Sequence, residues 1–158
     1  MTASKYFISA GTGVSTINDL LSFDAALVDA GVNDYNLIRL SNGALPPKCR
    51  GVSYVDISKG AFLPMVYSTI SSGVEGETVV SAIGVGLPVD ETQAGIVLGY
   101  SSKGFAVRQN IVLNTLDNAI GEAFRLHGLE LKGIRHKAVS ARVESGQIVT
   151  TFAGVAEW

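Results

Sequence analysis

An α+β fold, with helices packed on β-sheets, is what this sequence predicts, and three observations point to it. The order of elements is strand, helix, several strands, long helix, strands, without the strand–helix alternation of a parallel sheet. Only two stretches, about Asp19 to Ala30 and Ala106 to His127, place apolar residues at helical spacing. Several of the other apolar runs are short and stop at glycine or proline, as Val79 to Leu87 ends at Pro88.

The elements follow in chain order. Lys5 to Ala10 reads as a strand, and Gly11-Thr12-Gly13 as a bend after it. No Gly-x-Gly-x-x-Gly continues and no Lys-Ser/Thr follows, so a phosphate cradle is not indicated. The first helix has Asn18 as N-cap, Asp19 as a favourable first-turn charge and Gly31 at the C′ position. Leu20, Phe23, Leu27 and Ala30 form its expected core stripe, with Asp24 beside it as a solvated acid. Asn36 to Leu40 is a short buried strand. It breaks at Ser41-Asn42-Gly43, where Asn-Gly favours a turn, and leaves through Pro46-Pro47, which cannot continue a central ladder. Val52 to Ile57 and Gly60 to Ser72 read as strands. A loop containing Glu75 and Glu77 then feeds Val79 to Leu87, and Gly95 to Ser101 is the next strand. With no histidine near them, Glu75 and Glu77 read as loop solvation and not as an acid/base pair. The long helix has the stripe Val112, Leu116, Ile120, Ala123 and Phe124, and Gly128 ends it. Leu131 to Val143 and Gln147 to Trp158 complete the sheets.

The chain has 158 residues, enough for one domain with a substantial core. Apolar residues make up 47% and charged residues 16%, a balance that suits extra burial in an oligomer interface. A net charge of −2 gives no reason to expect nucleic acid or an anionic membrane as partner. No apolar run reaches membrane-span length, and the N-terminus lacks a signal-peptide pattern, so a cytoplasmic location is expected. The lone Cys49 fits a reducing compartment and reads as a structural thiol. His127, His136 and Cys49 have no metal-ligand spacing, so no metal is expected. His127 suits the end of a helix dipole, and His136 is expected to face solvent.

Asn36-Leu37-Ile38-Arg39-Leu40-Ser41, followed by Pro46-Pro47, resembles the self-processing segment of the pyruvoyl-dependent arginine decarboxylases. Phe23-Asp24-Ala25-Ala26-Leu27 with Ala30-Gly31, and Ala61-Phe62-Leu63-Pro64 with Tyr67, are similar to the same family. So are Gly76-Glu77-Thr78 and the closing Phe152 to Trp158, so the resemblance spans nearly the whole chain. It implies the α/β sandwich of the pyruvoyl-dependent arginine/histidine decarboxylases, assembled as homotrimers with pockets between subunits. It also implies that Asp24 receives a substrate guanidinium, with Leu20 as an apolar neighbour, and that Ser41 and Asn36 hold catalytic positions. In that family a serine of this segment becomes the pyruvoyl group that draws off the electrons of decarboxylation.

Two positions depart from the pattern. In the processing segment Ser41-Asn42-Gly43, Asn42 stands where the family has its reactive serine, and Gly43 is one residue more than the family has. Asparagine has no β-leaving group from which a pyruvoyl group could form. Gly99 stands where the family has the glutamate that donates a proton after carbon dioxide leaves. The resemblance with these departures implies a divergent relative that is not self-processed and has no cofactor. It would keep an intersubunit pocket for a small cationic metabolite, guanidino or amine, as a binding protein or an enzyme of altered chemistry. The alternative is an active pyruvoyl-dependent arginine decarboxylase, a carboxy-lyase, cleaved between Leu40 and Ser41 with the pyruvoyl group made from Ser41.

Overall fold

The computed structural model describes residues 2–41 and 43–158. Asn42, on which the processing-segment reading turns, lies outside the described residues. The elements are β1 (Lys5–Ser15), α1 (Asp19–Ala30), β2 (Asn36–Leu40), β3 (Gly43–Leu45), β4 (Arg50–Gly51) and β5 (Phe62–Ser72). They continue with β6 (Thr78–Pro88), β7 (Gly95–Gly104), α2 (Gln109–Leu126), β8 (Leu131–Arg142) and β9 (Ile148–Glu157). The α+β class expected from the sequence is the class observed.

Two sheets form, in the orders β2-β5-β9-β1-β4 and β3-β7-β6-β8. The first is mixed, since β2 pairs parallel with β5 while β1 and β5 both flank β9 antiparallel. The second is antiparallel throughout. Tyr6, Leu45, Val66, Ile83, Val85, Val97, Ala153 and Val155 fill the space between the sheets. On the outer face of the five-stranded sheet, Ala26 and Ala30 of α1 meet Leu63, Met65, Phe152 and Ala156. On the outer face of the other, α2 lays Val112, Leu116, Ile120 and Phe124 over Val80, Ala82 and Ile96. The layers are therefore helix, sheet, sheet, helix, each strand placing alternate residues on its two faces.

Both helices sit on glycine tracks. A Cβ at Gly84 or Gly86 would come within 2.6 Å of Ile120 or Phe124 side-chain atoms. Under α1 the approach is closer still. A Cβ at Gly13 would lie 2.0 Å from the Ser22 carbonyl oxygen, and one at Gly11 would lie 2.4 Å from that of Ala26. This corrects the reading of Gly11-Thr12-Gly13 as a bend. The strand runs straight through to Ser15, and the glycines are the floor on which α1 rests. The core stripe of α1 is corrected with it. Its buried face is Ser22, Ala26 and Ala30, while Phe23 and Leu27 are half-buried and Leu20 is 71% exposed. Small residues must face the strand because the backbones nearly touch.

The expected strand Val52 to Ile57 is absent. Only Arg50–Gly51 pair with β1, and the chain then lies against the α1 layer through Val55 and Ile57. The caps of α1 are as expected: Asn18 accepts a bond from the Leu21 amide at 2.9 Å, and Gly31 adopts φ 77°. The α2 stripe is as expected too, although the helix starts at Gln109 and not at Ala106.

Candidate functional site

Ser41 and Gly43 of the processing segment lie where the chain leaves one sheet for the other. Leu40, the last residue of β2, is opposite Val66 in the five-stranded sheet. Gly43, the first of β3, is opposite Val97 in the four-stranded sheet. Ser41 is an exposed bend between them, past the end of β2. A Cβ at Gly43 would meet Val66 Cγ2 at 2.6 Å and Val97 Cβ at 3.3 Å, so this position faces packed core and has no room for a side chain.

Gly99 lies two residues further along β7, opposite Ile83. A Cβ there would be 3.1 Å from Ser68 Cβ and 3.2 Å from Ile83 Cδ1. Ser68 belongs to the facing sheet, and its hydroxyl donates to the Ala82 carbonyl at 2.7 Å. The base of a side chain at 99 would therefore press on this inter-sheet tie, although the position itself is exposed. Tyr100 is on the opposite face of the strand, as alternation requires. Ser41, Gly43 and Gly99 thus share one edge of the sandwich, where Ser41 is the single hydroxyl of the crossing segment.

Asp24 and Leu20 are one turn apart on the outward face of α1, and both are exposed. Asp24 has no hydrogen bond or ion pair among the described residues. Its neighbour Phe23 places its ring 6.4 Å from that of Tyr67. Over the Tyr67 ring, at 4.4 Å, stands the Arg39 guanidinium, which also donates to the Tyr67 carbonyl at 3.2 Å. Arg39 and Tyr67 link α1 to the residues leading into Ser41. Arg39 was visible only as part of the strand motif, with nothing to mark its stacking.

Within one chain these groups do not converge. Asn36 is at the far end of β2 from Ser41, a separation of about 16 Å for an extended strand. Its side-chain amide donates to the Gly60 carbonyl at 2.7 Å and fixes the turn into β5. Asp24 is on the outer face of the five-stranded sheet, while position 99 looks into the space between the sheets.

A titratable group that sequence reasoning missed is Glu157. It follows Ala153 and Val155 on the inter-sheet face of β9, opposite Tyr6, and is 7% exposed. Its Oε1 has no hydrogen-bond partner among the described residues. Burial pushes its carboxyl above the usual range, and burial together with this nearby carboxylate pushes the Cys49 thiol up. Between the ordinary glutamate pKa and the raised folded value, the folded state holds the extra proton. Stability therefore falls as pH rises through that window, and the loss persists above it. Glu157→Leu is expected to stabilise the fold by about 1–3 kcal/mol at pH 7, and by less at pH 4. Urea titration at both pH values checks this, and a destabilised variant at pH 7 would mean the carboxylate has a partner.

His136 is exposed as expected, and its Nδ1 is 2.8 Å from Asp117 of α2. Among the described residues, no group of three or more His, Cys, Asp or Glu is placed to hold a metal ion. No helix among them is long and apolar enough to cross a membrane.

Residues 5–156 match the family described as pyruvoyl-dependent arginine decarboxylase. A protein of that name from Methanococcus aeolicus is 36% identical over 149 residues, covering 94% of this chain and 86% of the relative. One from Methanocaldococcus jannaschii is 34% identical over 139 residues, 88% of this chain and 81% of its own. One from Methanopyrus kandleri is 31% identical over 154 residues, 98% and 96% of the two chains.

Proposed function

The chain belongs to the pyruvoyl-dependent arginine decarboxylase family, and from that premise we propose that it is a divergent member that is not self-processed. It acts as one domain of 158 residues and binds a small cationic metabolite, guanidino or amine, in a pocket between the subunits of a homotrimer. Its role there is that of a binding protein or of an enzyme of altered chemistry. The observation behind this reading is Gly99: the position of the family's proton donor has no side chain, and its backbone packs closely on Ser68 of the facing sheet. The crossing segment supports it, since Asn42 has no β-leaving group and position 43 faces packed core. The residues present therefore do not fit a pyruvoyl group at the aligned register.

The separation of Asn36, Ser41 and Asp24 within one chain favours a pocket completed by a second copy. So do the exposed Ile17, Leu20, Leu21 and Val28 at the start and outer face of α1, apolar surface that a neighbouring subunit would cover.

The second reading is cleavage between Leu40 and Ser41 with the cofactor made from Ser41. One observation favours it: Ser41 is past the end of β2, so strand alternation does not fix the direction of its hydroxyl. Intact mass of the purified protein separates the two. A single species at 16.5 kDa is expected. A 40-residue fragment, with the remainder bearing a ketone at its new N-terminus, would falsify the first reading and establish the second. Deamidation or cleavage at Asn42-Gly43 bears on neither, because a cyclic imide forms there without yielding a ketone.

A further inference from the structure

The sandwich has two long edges, and the crossing from β2 to β3 occupies one. At the other, β8 ends the four-stranded sheet and β1 with β4 ends the five-stranded sheet. Between them opens a cavity of about 700 Å³, in the range of small-metabolite sites. Lys5, Arg50, Arg135 and Lys137 line it, and Asp56 is the one carboxylate among its lining residues. That carboxylate is already committed. It accepts from Lys5 Nζ at 2.5 Å and from Trp158 Nε1 at 2.7 Å. Arg50, Arg135 and Lys137 have no ion-pair partner among the described residues. In a chain of net charge −2, this is a local reversal of sign.

One of these cations, Arg135, is held in place. Arg135 and Lys137 are two residues apart on β8 and so project from the same face. Their neighbours Ile134 and Ala138 pack under α2, which leaves the pair pointing to the open edge. Arg135 Nη1 donates to the Tyr6 hydroxyl at 3.2 Å. Gly51 of β4 keeps that contact open: a Cβ there would be 3.0 Å from the same Nη1 and 3.1 Å from the Tyr6 hydroxyl oxygen. Tyr54, 68% exposed, stands in the same lining. Gathering like charges in one concavity is unfavourable unless an anion offsets them.

We propose that this edge pocket binds a small molecule bearing at least two negative charges, as phosphate or carboxylate groups. Arg135 and Lys137 supply its principal contacts, and Arg50 reaches it from the β4 side. A guanidinium fork suits either kind of oxygen pair. The pocket shares no residue with Ser41, Asn36, Asp24 or Gly99, so it stands or falls apart from the family reading.

The test is titration of pyrophosphate, and separately citrate, into the full chain. Heat and the emission of Trp158 are the readouts, because the chain's one tryptophan is bonded to the pocket carboxylate. Saturable binding that weakens with added salt is expected. Arg135→Gln and Lys137→Gln should each weaken it roughly tenfold or more. Lys59→Gln removes the same charge from a side chain outside the pocket lining and should bind as the parent does. Lys137 has no bonded partner among the described residues, so its variant is expected to keep the parent melting temperature. Preference for pyrophosphate assigns a phosphate ligand, and preference for citrate a carboxylate one. Absence of binding to both at millimolar concentration, or equal weakening in Lys59→Gln, overturns the proposal.

Discussion

Gly13→Ala is expected to cost about 3 kcal/mol or more of folding stability, at the upper end of what overpacking produces. The added carbon would fall 2.0 Å from the Ser22 carbonyl oxygen, 2.4 Å from the Ala26 amide nitrogen and 2.9 Å from the Ala25 carbonyl carbon. All three are helix backbone, so no rotamer change can relieve the clash, and α1 must lift from β1 as a unit. Lifting it would also strain the Ser22 to Thr150 hydroxyl contact, 2.6 Å long and buried. The same substitution at Gly84 should cost less, because its nearest neighbour is the terminal methyl of Ile120, which can rotate. Gly121→Ala on α2 should be neutral or stabilising by up to about 1 kcal/mol. Its Cβ would meet nothing within 4 Å, and alanine is the better helix former. Urea denaturation of the three variants ranks them. Gly13→Ala within about 0.5 kcal/mol of the parent would mean that α1 does not sit this close.

The glycine track marks where local reading stops. Gly11-Thr12-Gly13 has the composition of a bend, and nothing within a few residues says that a helix backbone will occupy the vacancy. The same contact rotates the buried face of the helix. With Ser22, Ala26 and Ala30 facing the strand, the larger apolar residues move to the flank and Leu20 points outward. A stripe drawn by size alone keeps Ala30 and the flanking Phe23 and Leu27 but misses Ser22 and Ala26 and wrongly includes Leu20. Where burial and periodicity agree, as for Val112, Leu116, Ile120 and Phe124 on α2, the sequence was sufficient. Local capping chemistry at Asn18 and Gly31 was equally legible.

At the candidate site, residue types could be read from the sequence but their distances could not. The missing side chain at Gly99 is plain in the sequence. That its backbone packs against Ser68 depends on how two sheets face each other. Glu157 gave no local sign of burial, since a carboxylate next to a final tryptophan looks like an ordinary solvated end. Its place on the inter-sheet face follows only from the register that sets it opposite Tyr6.

Asp24→Asn is expected to lower affinity for a guanidino or amine ligand ten- to hundredfold while leaving the melting temperature nearly unchanged. The structure separates the two halves of this prediction. Asp24 is exposed on α1 and bonds to no described residue, so the fold loses no contact with its charge. An exposed ion pair in water is worth at most about 1 kcal/mol, roughly a fivefold change in affinity. A larger loss therefore requires a drier setting, in which a charge-assisted bond to a cation contributes roughly 1.5–3 kcal/mol. At roughly 1.4 kcal/mol per decade, that range corresponds to the tenfold to hundredfold loss expected. The size of the effect thus reports whether a second copy closes over the outer face of α1. Calorimetric titration of arginine and agmatine into parent and variant, with thermal melts alongside, makes the comparison. A loss of fivefold or less would leave Asp24 on an open surface and remove the intersubunit pocket from the reading. Equal affinities would reduce it to a surface acid, and a collapse in melting temperature would make it structural. Failure of both ligands to bind the parent would mean that the retained aspartate serves no cation, and the proposed ligand class would fall with it.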